Sequence, residues 1–298
     1  MIHWLRRRWV RYPLIAVGAL VVVFLAWISI AAIVYSPEYV RRVLVWQESD
    51  EGDYLHNFPL RPLQPSESPR FFVDDPDEER VRARFEQVLR TDDLDRFLSA
   101  HDTQAFIVIE GDRVIYEQYF NGATRDSMLT SFSVAKSFVS ALVGIAIDEG
   151  AIAGADDAVT DYLPELAQRD PAFASITIRD LLHMSSGLDY TAHRWALFNG
   201  DDPLTTYHTD QRKLALENTR IVDEPAARFS YNKYHPQLLG LILERTTGMS
   251  ITELTQSRLW DRLGMEFDGA WALDRDGGFE KMEAGLNARA IDYAKLGV

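Results

Sequence analysis

The stretch Ser131-Phe132-Ser133-Val134-Ala135-Lys136, with the apolar residues that follow it, decides how this chain of 298 residues folds. The sequence predicts one long buried helix over Ser133–Glu149, and Gly150 is well suited to end it. A serine and a lysine three positions apart on a helix share one face, so the ammonium of Lys136 can approach the hydroxyl of Ser133. The helix N-terminus adds N–H groups that favour developing negative charge.

The spacing of Ser133 and Lys136 suits nucleophilic catalysis. If burial favours the neutral amine of Lys136, that amine can accept the proton of Ser133 and activate the hydroxyl. The pattern alone is weak, because Ser230 and Lys233 repeat it in a polar, aromatic loop. The alternative for Ser133 is a plain helix N-cap.

The segments around this helix indicate an α+β fold. Ala105–Ile109 and Val114–Phe120 are β-rich runs joined through Gly111 and Asp112, which predicts a hairpin. Strands come first and a helical block follows, as is typical of α+β proteins. The further predicted helices are Thr177–Met184, Pro236–Thr247, 250–263 and 287–298.

The N-terminus predicts a membrane anchor. Leu14–Val34 is a run of 21 residues without charge, long enough for a helix to cross a hydrocarbon core of about 30 Å. Aromatic residues lie near both predicted interfaces, as in a membrane belt. They are Trp4, Trp9, Tyr12, Trp27 and Tyr35. The alternative is a cleaved signal peptide, but this apolar core is longer than usual and Val34-Tyr35-Ser36-Pro37 is a poor cleavage site.

The charge distribution orients that anchor and excludes one class of partner. The net charge of −14 divides into about +5 over residues 1–42 and about −19 over the rest, which argues against nucleic-acid binding. Arg6, Arg7, Arg8 and Arg11 precede the span, whereas only Arg41 and Arg42 follow it closely. By the positive-inside rule, residues 1–11 are a cytoplasmic tip, 12–35 the anchor, and everything later extracytoplasmic. The absence of cysteine excludes disulfides, cysteine zinc sites and a cysteine nucleophile.

Residues 36–100 predict a Pro-rich connector ahead of a globular domain over residues 101–298. Tyr39–Trp46 suits a helix or a strand, after which prolines interrupt any long element. Those prolines are Pro59, Pro62, Pro65, Pro69 and Pro76. The acidic run 74–79 predicts the solvated start of a helix over Arg80–Leu89 rather than a metal site.

Two later stretches could also carry chemistry. In Phe229–His235 the phenol of Tyr231 lies near a cation in sequence and could serve as a base, although the loop could equally be an aromatic helix entry. His183 could be a base, but a lone histidine at a helix end is more often a cap. The histidines have no metal spacing, and no Gly-x-Ser-x-Gly elbow is present.

Taken together, these stretches resemble the serine β-lactamase and penicillin-binding-protein superfamily in its class C-like branch, which also holds esterases, D-aminopeptidases and aminohexanoate-oligomer hydrolases. The resemblance covers about residues 100–298. It rests on four motifs in order: Ser133-Val134-Ala135-Lys136, Leu181-Leu182-His183-Met184-Ser185-Ser186-Gly187-Leu188, Phe229-Ser230-Tyr231-Asn232-Lys233 with Gln237-Leu238-Leu239-Gly240, and Leu263-Gly264-Met265.

The resemblance implies a role for each site residue. Ser133 is the acylated nucleophile, whose backbone N–H also supplies half of the oxyanion hole, and Lys136 is its activating partner. Tyr231 shuttles the proton to the leaving group, while Asn232 and Lys233 contact the substrate. The implied fold is a helical domain beside an antiparallel sheet with flanking helices, with no metal or organic cofactor. The repeated pattern at Ser230 is then a coincidence.

The sequence departs from the family pattern in two places. Lys233 stands where the family commonly has asparagine, which favours a broader hydrolase over a β-lactamase. No Lys-Thr-Gly-like box follows, and the chain stops within an apparent helix, so we expect the C-terminal strands to be missing and the domain to be incomplete.

Three functions follow as hypotheses. The first is a membrane-anchored, extracytoplasmic serine hydrolase that cleaves a small or peptide-like amide or ester through an acyl-enzyme on Ser133. The second is a truncated, non-catalytic relative that binds envelope material, since losing one oxyanion donor costs roughly 10²–10³ in rate. The third is a β-lactamase or D,D-peptidase proper.

Overall fold

The computed structural model describes residues 2–45, 53–192 and 200–298, with residues 2–11 and Asp53 described by their backbone alone. The α-helices are α1 Ile2–Val34, α2 Pro37–Val45, α3 Asp53–Asn57, α4 Glu78–Leu89, α5 Leu94–Ala100, α6 Ala135–Asp148, α7 Val159–Tyr162, α8 Pro164–Arg169, α9 Ile178–Leu182, α10 Asp201–Tyr207, α11 Gln211–Asn218, α12 Tyr234–Thr247, α13 Ile251–Thr255, α14 Asp261–Leu263 and α15 Ala290–Ala294. The strands are β1 Leu60–Leu63, β2 Val73–Asp74, β3 Ala105–Glu110, β4 Arg113–Tyr119, β5 Leu129–Thr130, β6 Gly269–Ala272 and β7 Leu286–Ala288. Short 3₁₀ turns cover Phe132–Val134, Pro171–Ser175 and Lys295–Gly297, and a π turn covers Gln256–Trp260.

The larger sheet joins distant parts of the chain in the order β1-β6-β7-β5, with antiparallel pairs throughout. Strand β1 is at an edge, where Pro62 opposite Ala270 is tolerated because an edge strand does not need every N–H. Strands β6 and β7 are buried along their whole length. This sheet therefore lies directly beside the start of the helix that follows β5.

The smaller sheet has the order β2-β4-β3 and contains the predicted hairpin. Gly111 makes its turn with φ +66°, a conformation that glycine adopts without steric cost. Helix α4 follows the acidic run as predicted, since Asp77 caps it and Glu78 and Glu79 occupy its first turn. Val81 of this helix is buried with Leu94 and Tyr116 in a small core of its own.

Helix α6 is the centre of the main core. Its apolar face, which includes Phe138 and Leu142, packs with residues of α9 and α12 that are almost fully buried. The prediction of this helix is confirmed: a 3₁₀ turn precedes it and Gly150, at φ +75°, follows its end. Predicted helices over Thr177–Met184, Pro236–Thr247 and 250–263 are likewise present with small changes at their ends.

The N-terminal helix α1 is long and apolar enough over Tyr12–Val34 to cross a membrane, and it is almost wholly exposed. A signal sequence would pass the same test of length and composition. After Ser36, helix α2 turns onto the globular part, where Tyr39, Val40, Arg42 and Val43 are buried. The predicted helix or strand over Tyr39–Trp46 is therefore helical up to Val45. The side chains of Trp4, Trp9 and the arginines of residues 1–11, and the whole of Trp46, lie outside the described residues.

Part of the predicted connector packs on the globular part, because β1 pairs with β6 and Leu63 lies in the main core. The boundary at residue 100 stays a prediction. The predicted helix 287–298 is wrong at its start. Leu286–Ala288 is the strand β7, and a short helix with a 3₁₀ turn follows it. A three-residue buried strand has no recognisable period, since short apolar runs suit either state.

Candidate active site

Ser133 lies at the N-terminal end of α6, in a turn with a strained backbone. The residue before it, Phe132, has φ +45°, a left-handed conformation that is rare for a bulky side chain. Its ring makes an edge contact with Tyr54, at 5.7 Å between ring centroids. Such strain persists only where the surroundings enforce it, and it concentrates at functional sites. The turn leaves Ser133 exposed at the surface of the core helix.

Lys136 points from the first turn of α6 towards Ser133, as the spacing predicts. Its Nζ donates to Ser133 Oγ at 3.0 Å and to the backbone carbonyl of Glu283 at 2.6 Å. It also lies 5.0 Å from the centre of the Tyr231 ring. The ammonium is therefore held between the serine, the phenol and a carbonyl of the buried turn before β7.

Tyr231 completes the cluster from a loop 98 residues away in sequence. Its Oη lies 2.6 Å from Ser133 Oγ, close enough for direct proton transfer. Burial raises the pKa of Tyr231, but hydrogen bonds from Lys136 and Ser133 and the charges of Lys136 and Lys233 outweigh it, so the pKa is lowered. The phenol is still about half exposed, which leaves room for a substrate beside it.

The loop that carries Tyr231 is supported by the segment after α9. Ser230 N donates to the carbonyl of Met184 at 2.7 Å, and Asn232 N approaches Met184 Sδ at 3.4 Å. Gly187 has φ +75° and lies against the backbone of residue 223, where a Cβ would stand 2.1 Å from the carbonyl oxygen. The two motifs of the resemblance are thus packed against each other.

Asn232 and Lys233 face away from the open side of the cluster. Asn232 is fully buried, and its amide bonds the carbonyls of Leu188 and Asp189 and the N–H of Tyr234. Lys233 Nζ is bound by Thr206 Oγ1 and Asp202 Oδ1, each at 2.8 Å. The polar ends of both residues thus hold the loop in place, and their contact with a substrate stays a prediction.

The other residues considered from sequence lie elsewhere. Within the part of the chain that the structure describes, exposed His183 shares no hydrogen bond with Ser133, Lys136 or Tyr231. His235 is buried, its Nε2 is 2.6 Å from Ser186 Oγ, and burial lowers its pKa to about 3. It is therefore a neutral structural histidine. Ser230 makes no hydrogen bond with Lys233, whose ammonium points to α10.

Sequence reasoning missed the turn that holds Lys136. Residues 279–288 are all buried, and they include the charged side chains Glu280, Lys281 and Glu283. Helix α10, which binds Lys233, was also not predicted. Buried charges give no hydrophobic period, so the one available signal was three charged residues within an apolar-flanked run before Gly285.

The fold is that of the β-lactamase and transpeptidase class: an α+β arrangement with the helix that follows Ser133 beside an antiparallel sheet. The family described as Beta-lactamase matches residues 94–295. This chain belongs to that family. The resemblance found in the sequence is thereby confirmed, and the chain is a member of a family of serine hydrolases.

Two curated relatives are amide hydrolases by name. The chain is 29% identical over 223 residues to a 6-aminohexanoate-dimer hydrolase of Paenarthrobacter ureafaciens, an alignment that covers 70% of this chain and 54% of the relative. It is 29% identical over 147 residues to a D-aminopeptidase of Brucella anthropi, covering 48% of this chain and 26% of the relative. The chain thus spans about half of the first relative and a quarter of the second.

Solved structures share the fold. A protein from Bacillus anthracis, assigned as a 6-aminohexanoate-dimer hydrolase, superposes with a TM-score of 0.68 at 23% identity, covering 82% of this chain and 67% of that one. A class C beta-lactamase superposes with a TM-score of 0.52 at 16% identity, covering 74% and 65%. The absence of C-terminal strands stays a prediction.

Proposed function

We propose that this protein is a membrane-anchored, extracytoplasmic serine hydrolase that cleaves an amide or ester through an acyl-enzyme on Ser133. The observation that carries the proposal is the convergence of Lys136 and Tyr231 on Ser133 Oγ, at 3.0 and 2.6 Å. A nucleophile within hydrogen-bond reach of a base, which a third group orients in turn, is the usual signature of covalent catalysis.

The proposed reaction has two halves. In the first, Ser133 Oγ bonds to the substrate carbonyl carbon while its proton passes to the Lys136–Tyr231 pair. The tetrahedral oxyanion is stabilised by the N–H of Ser133 and then collapses, and the bond to the leaving amine or alcohol breaks as that group takes the proton. In the second half, water attacks the acyl ester and gives a proton to the same pair. The bond between the acyl carbon and Ser133 Oγ then breaks, and the pair returns the proton to Ser133 Oγ as the acid leaves.

The electrostatics favour Tyr231 as the proton carrier. Its lowered pKa increases the fraction of phenolate at neutral pH, and the ammonium of Lys136 beside it stabilises that phenolate. Lys136 and Tyr231 act as one coupled unit in this scheme. The pH dependence of the rate therefore reports the protonation of the pair rather than of either residue.

The substrate class rests on the relatives and on the surface beside Ser133. The two curated relatives are named for amide substrates, which supports an amide or a related ester. Phe132 and Val134 are exposed apolar side chains on either side of the nucleophile, and they favour an uncharged acyl group there. Because Lys233 is paired with Asp202, the site has no obvious free cation for a β-lactam carboxylate at that position.

A fluorophosphonate probe on the full chain in detergent tests the nucleophile. The probe should label the wild type, and Ser133→Ala should abolish both the labelling and the hydrolysis of a generic ester. Ser230→Ala is the matched control, since it removes the other serine of a Ser-x-x-Lys pattern and should keep the labelling. Labelling that survives Ser133→Ala, or a wild type that neither labels nor hydrolyses esters, contradicts the proposal. Turnover of a chromogenic cephalosporin would favour a β-lactamase instead.

Membrane extraction and thiol labelling test the anchor and its orientation. We expect detergent, and not high salt, to release the protein, because an apolar helix of 23 residues is held by the hydrocarbon core. The chain has no cysteine, so single cysteines can report topology. An impermeant thiol reagent added to intact cells should label Lys213→Cys, an exposed site, and should not label His3→Cys. Release by salt alone, or the reverse labelling, contradicts this topology.

A further inference from the structure

The turn between β6 and β7 holds two charged side chains that the proposed reaction does not use. Lys281 and Glu283 are both fully buried. Placing two charges in a protein interior is costly, and hydrophobic residues of similar size often replace such a pair without loss of stability. A buried ion pair in this position is therefore expected to have a role other than stabilising the fold.

The backbone of this turn reaches the active site directly. The carbonyl of Glu283 accepts the 2.6 Å hydrogen bond from Lys136 Nζ. The turn is tied to the sheet on both sides, since Lys281 N donates to the carbonyl of Ala272 and Ala272 N donates to the carbonyl of Gly285. The position of the Glu283 carbonyl thus decides where one N–H of Lys136 points, and hence which direction remains for Ser133.

The side chains of Lys281 and Glu283 also make contacts that hold this turn in place. Lys281 Nζ lies 2.6 Å from Glu283 Oε1 and donates to the carbonyl of Thr206 at 2.6 Å, while it faces the Phe58 ring at 4.6 Å. The contact with Glu283 is an ion pair rather than an aligned hydrogen bond, because neither carboxylate oxygen has a hydrogen-bond partner among the described residues. The pair therefore ties the turn to the end of α10 by charge as well as by packing.

We propose that Lys281 and Glu283 are a positioning pair that fixes the Glu283 carbonyl and thereby aims the ammonium of Lys136 at Ser133. The inference rests on the proposed function, in which Ser133 is the acylated nucleophile. Neither side chain touches the reacting atoms. Both act indirectly, through the backbone carbonyl of Glu283 and the ammonium of Lys136 that this carbonyl binds.

The charges around the pair come from three elements. Burial lowers the pKa of Lys281, Glu283 opposes that shift, and the charges of Arg42 and Lys233 add to it. On the side of Ser133, Lys136 faces the turn. Asp202 pairs with Lys233, and the carboxylate of Glu283 is the acid beside Lys281.

The experiment measures the rate of fluorophosphonate acylation against pH for Glu283→Ala and Glu283→Gln in the full chain. We expect Glu283→Ala to lower the maximum rate at least tenfold and to move the acidic limb of the pH–rate profile to higher pH, because an ammonium of Lys136 that is no longer held in place stabilises the Tyr231 phenolate less. Glu283→Gln keeps the length of the side chain and should fall between Glu283→Ala and the wild type. General destabilisation would lower the rate without moving the limb.

Glu280 provides the matched control. It is equally buried, in the same turn, but its carboxylate is bound by Arg61 and by Thr252 and does not lead to Lys136. Glu280→Gln should keep the acidic limb of the wild type and a maximum rate within threefold of it. If Glu280→Gln shifts the acidic limb of the pH–rate profile as far as Glu283→Gln does, the inference is overturned.

A second measurement keeps the inference testable if Glu283→Ala does not fold or if Ser133 is not acylated. The chain has five lysines, so the Nζ signal of Lys136 can be assigned in lysine-labelled protein with Lys136→Arg as reference. Its Nζ chemical shift, which reports the hydrogen bond to the Glu283 carbonyl, should change in Glu283→Gln and not in Glu280→Gln. Unmoved signals in both variants reject the positioning pair, whereas a wild type without Ser133-dependent labelling rejects the proposed function instead.

Discussion

At the scale of single residues, the feature that decides the chemistry is the positive charge around Tyr231. The ammonium of Lys136 lies 5.0 Å from the centre of the phenol ring, and Lys233 adds charge from two residues away although its ammonium is turned to Asp202. The lysine at position 233 is thus a departure from the family pattern with a physical effect at Tyr231. It lowers the pKa of the phenol without needing to touch the substrate.

Removing that charge should shift the pH dependence of the reaction. In Lys233→Met the pKa of Tyr231 rises, because a cation that favours the phenolate is lost and Asp202 loses its partner. The acidic limb of Ser133 acylation should therefore move to higher pH, and the rate on that limb should fall severalfold. The measurement is the rate of probe labelling against pH.

Lys213→Met is the matched control for this variant. Lys213 is exposed and its nearest acid is Glu217 at 3.8 Å, so an uncharged residue there should leave the limb unmoved. An unmoved limb in Lys233→Met, or a shift to lower pH, contradicts the role given to this charge.

At the scale of elements, the position of Tyr231 depends on the turn after α9 rather than on its own loop alone. That turn accepts hydrogen bonds from Ser230 and Ala226 at 2.7 Å each, through the carbonyls of Met184 and Ser185. Gly187 closes the turn where no side chain fits, since the carbonyl of Asp223 occupies the space of a Cβ. The motif Leu181–Leu188 therefore supports the loop that carries Tyr231.

Gly187→Ala should destabilise the fold and slow acylation together. The clash and the left-handed backbone should cost about 2–4 kcal/mol in the free energy of unfolding, and the displaced loop should weaken the contact between Tyr231 and Ser133. Gly111→Ala is the control, with φ +66° but open space around its Cβ, and should cost about 1 kcal/mol. Chemical unfolding in detergent checks both values, and equal costs would contradict the steric explanation.

At the scale of the whole molecule, the segment after the apolar helix is built into the globular part. Arg42 of α2 is buried and donates to the carbonyls of Tyr207 and Asp274 while its guanidinium lies 4.2 Å from the centre of the Phe58 ring. Tyr207 is the neighbour of Thr206, which binds Lys281 and Lys233. The end of α10 thus joins α2 to the turn that holds Lys136.

Arg42→Met should therefore destabilise the protein much more than Arg41→Met. Loss of the guanidinium leaves two buried carbonyls without their donor, at a cost of about 2–4 kcal/mol. Arg41 is exposed and pairs with Glu38, so its replacement should cost less than about 1 kcal/mol. Thermal unfolding followed by circular dichroism gives the comparison, and similar melting temperatures would show that α2 does not stabilise the globular part.

Several parts of the fold could be predicted from sequence because they depend on local order. The apolar period of α6, the hairpin at Gly111 and the acidic start of α4 each lie within a few residues of the side chains that specify them. Helix α10 and the strand β7 could not be predicted in the same way. Both are short and buried, and their stability comes from neighbours far away in the chain rather than from a pattern of their own.

Helical geometry alone places Ser133 and Lys136 on one face of a buried helix, so this pairing could be inferred from the sequence. What else surrounds the two residues depends on the folding of distant segments. Tyr231 comes from 98 residues away and the carbonyl of Glu283 from 147, and no short-range spacing encodes either approach. Packing of the loops against α9, α10 and the sheet brings these groups together. A helix can place its own residues beside Ser133 only along one face, so the other contacts must come from other elements.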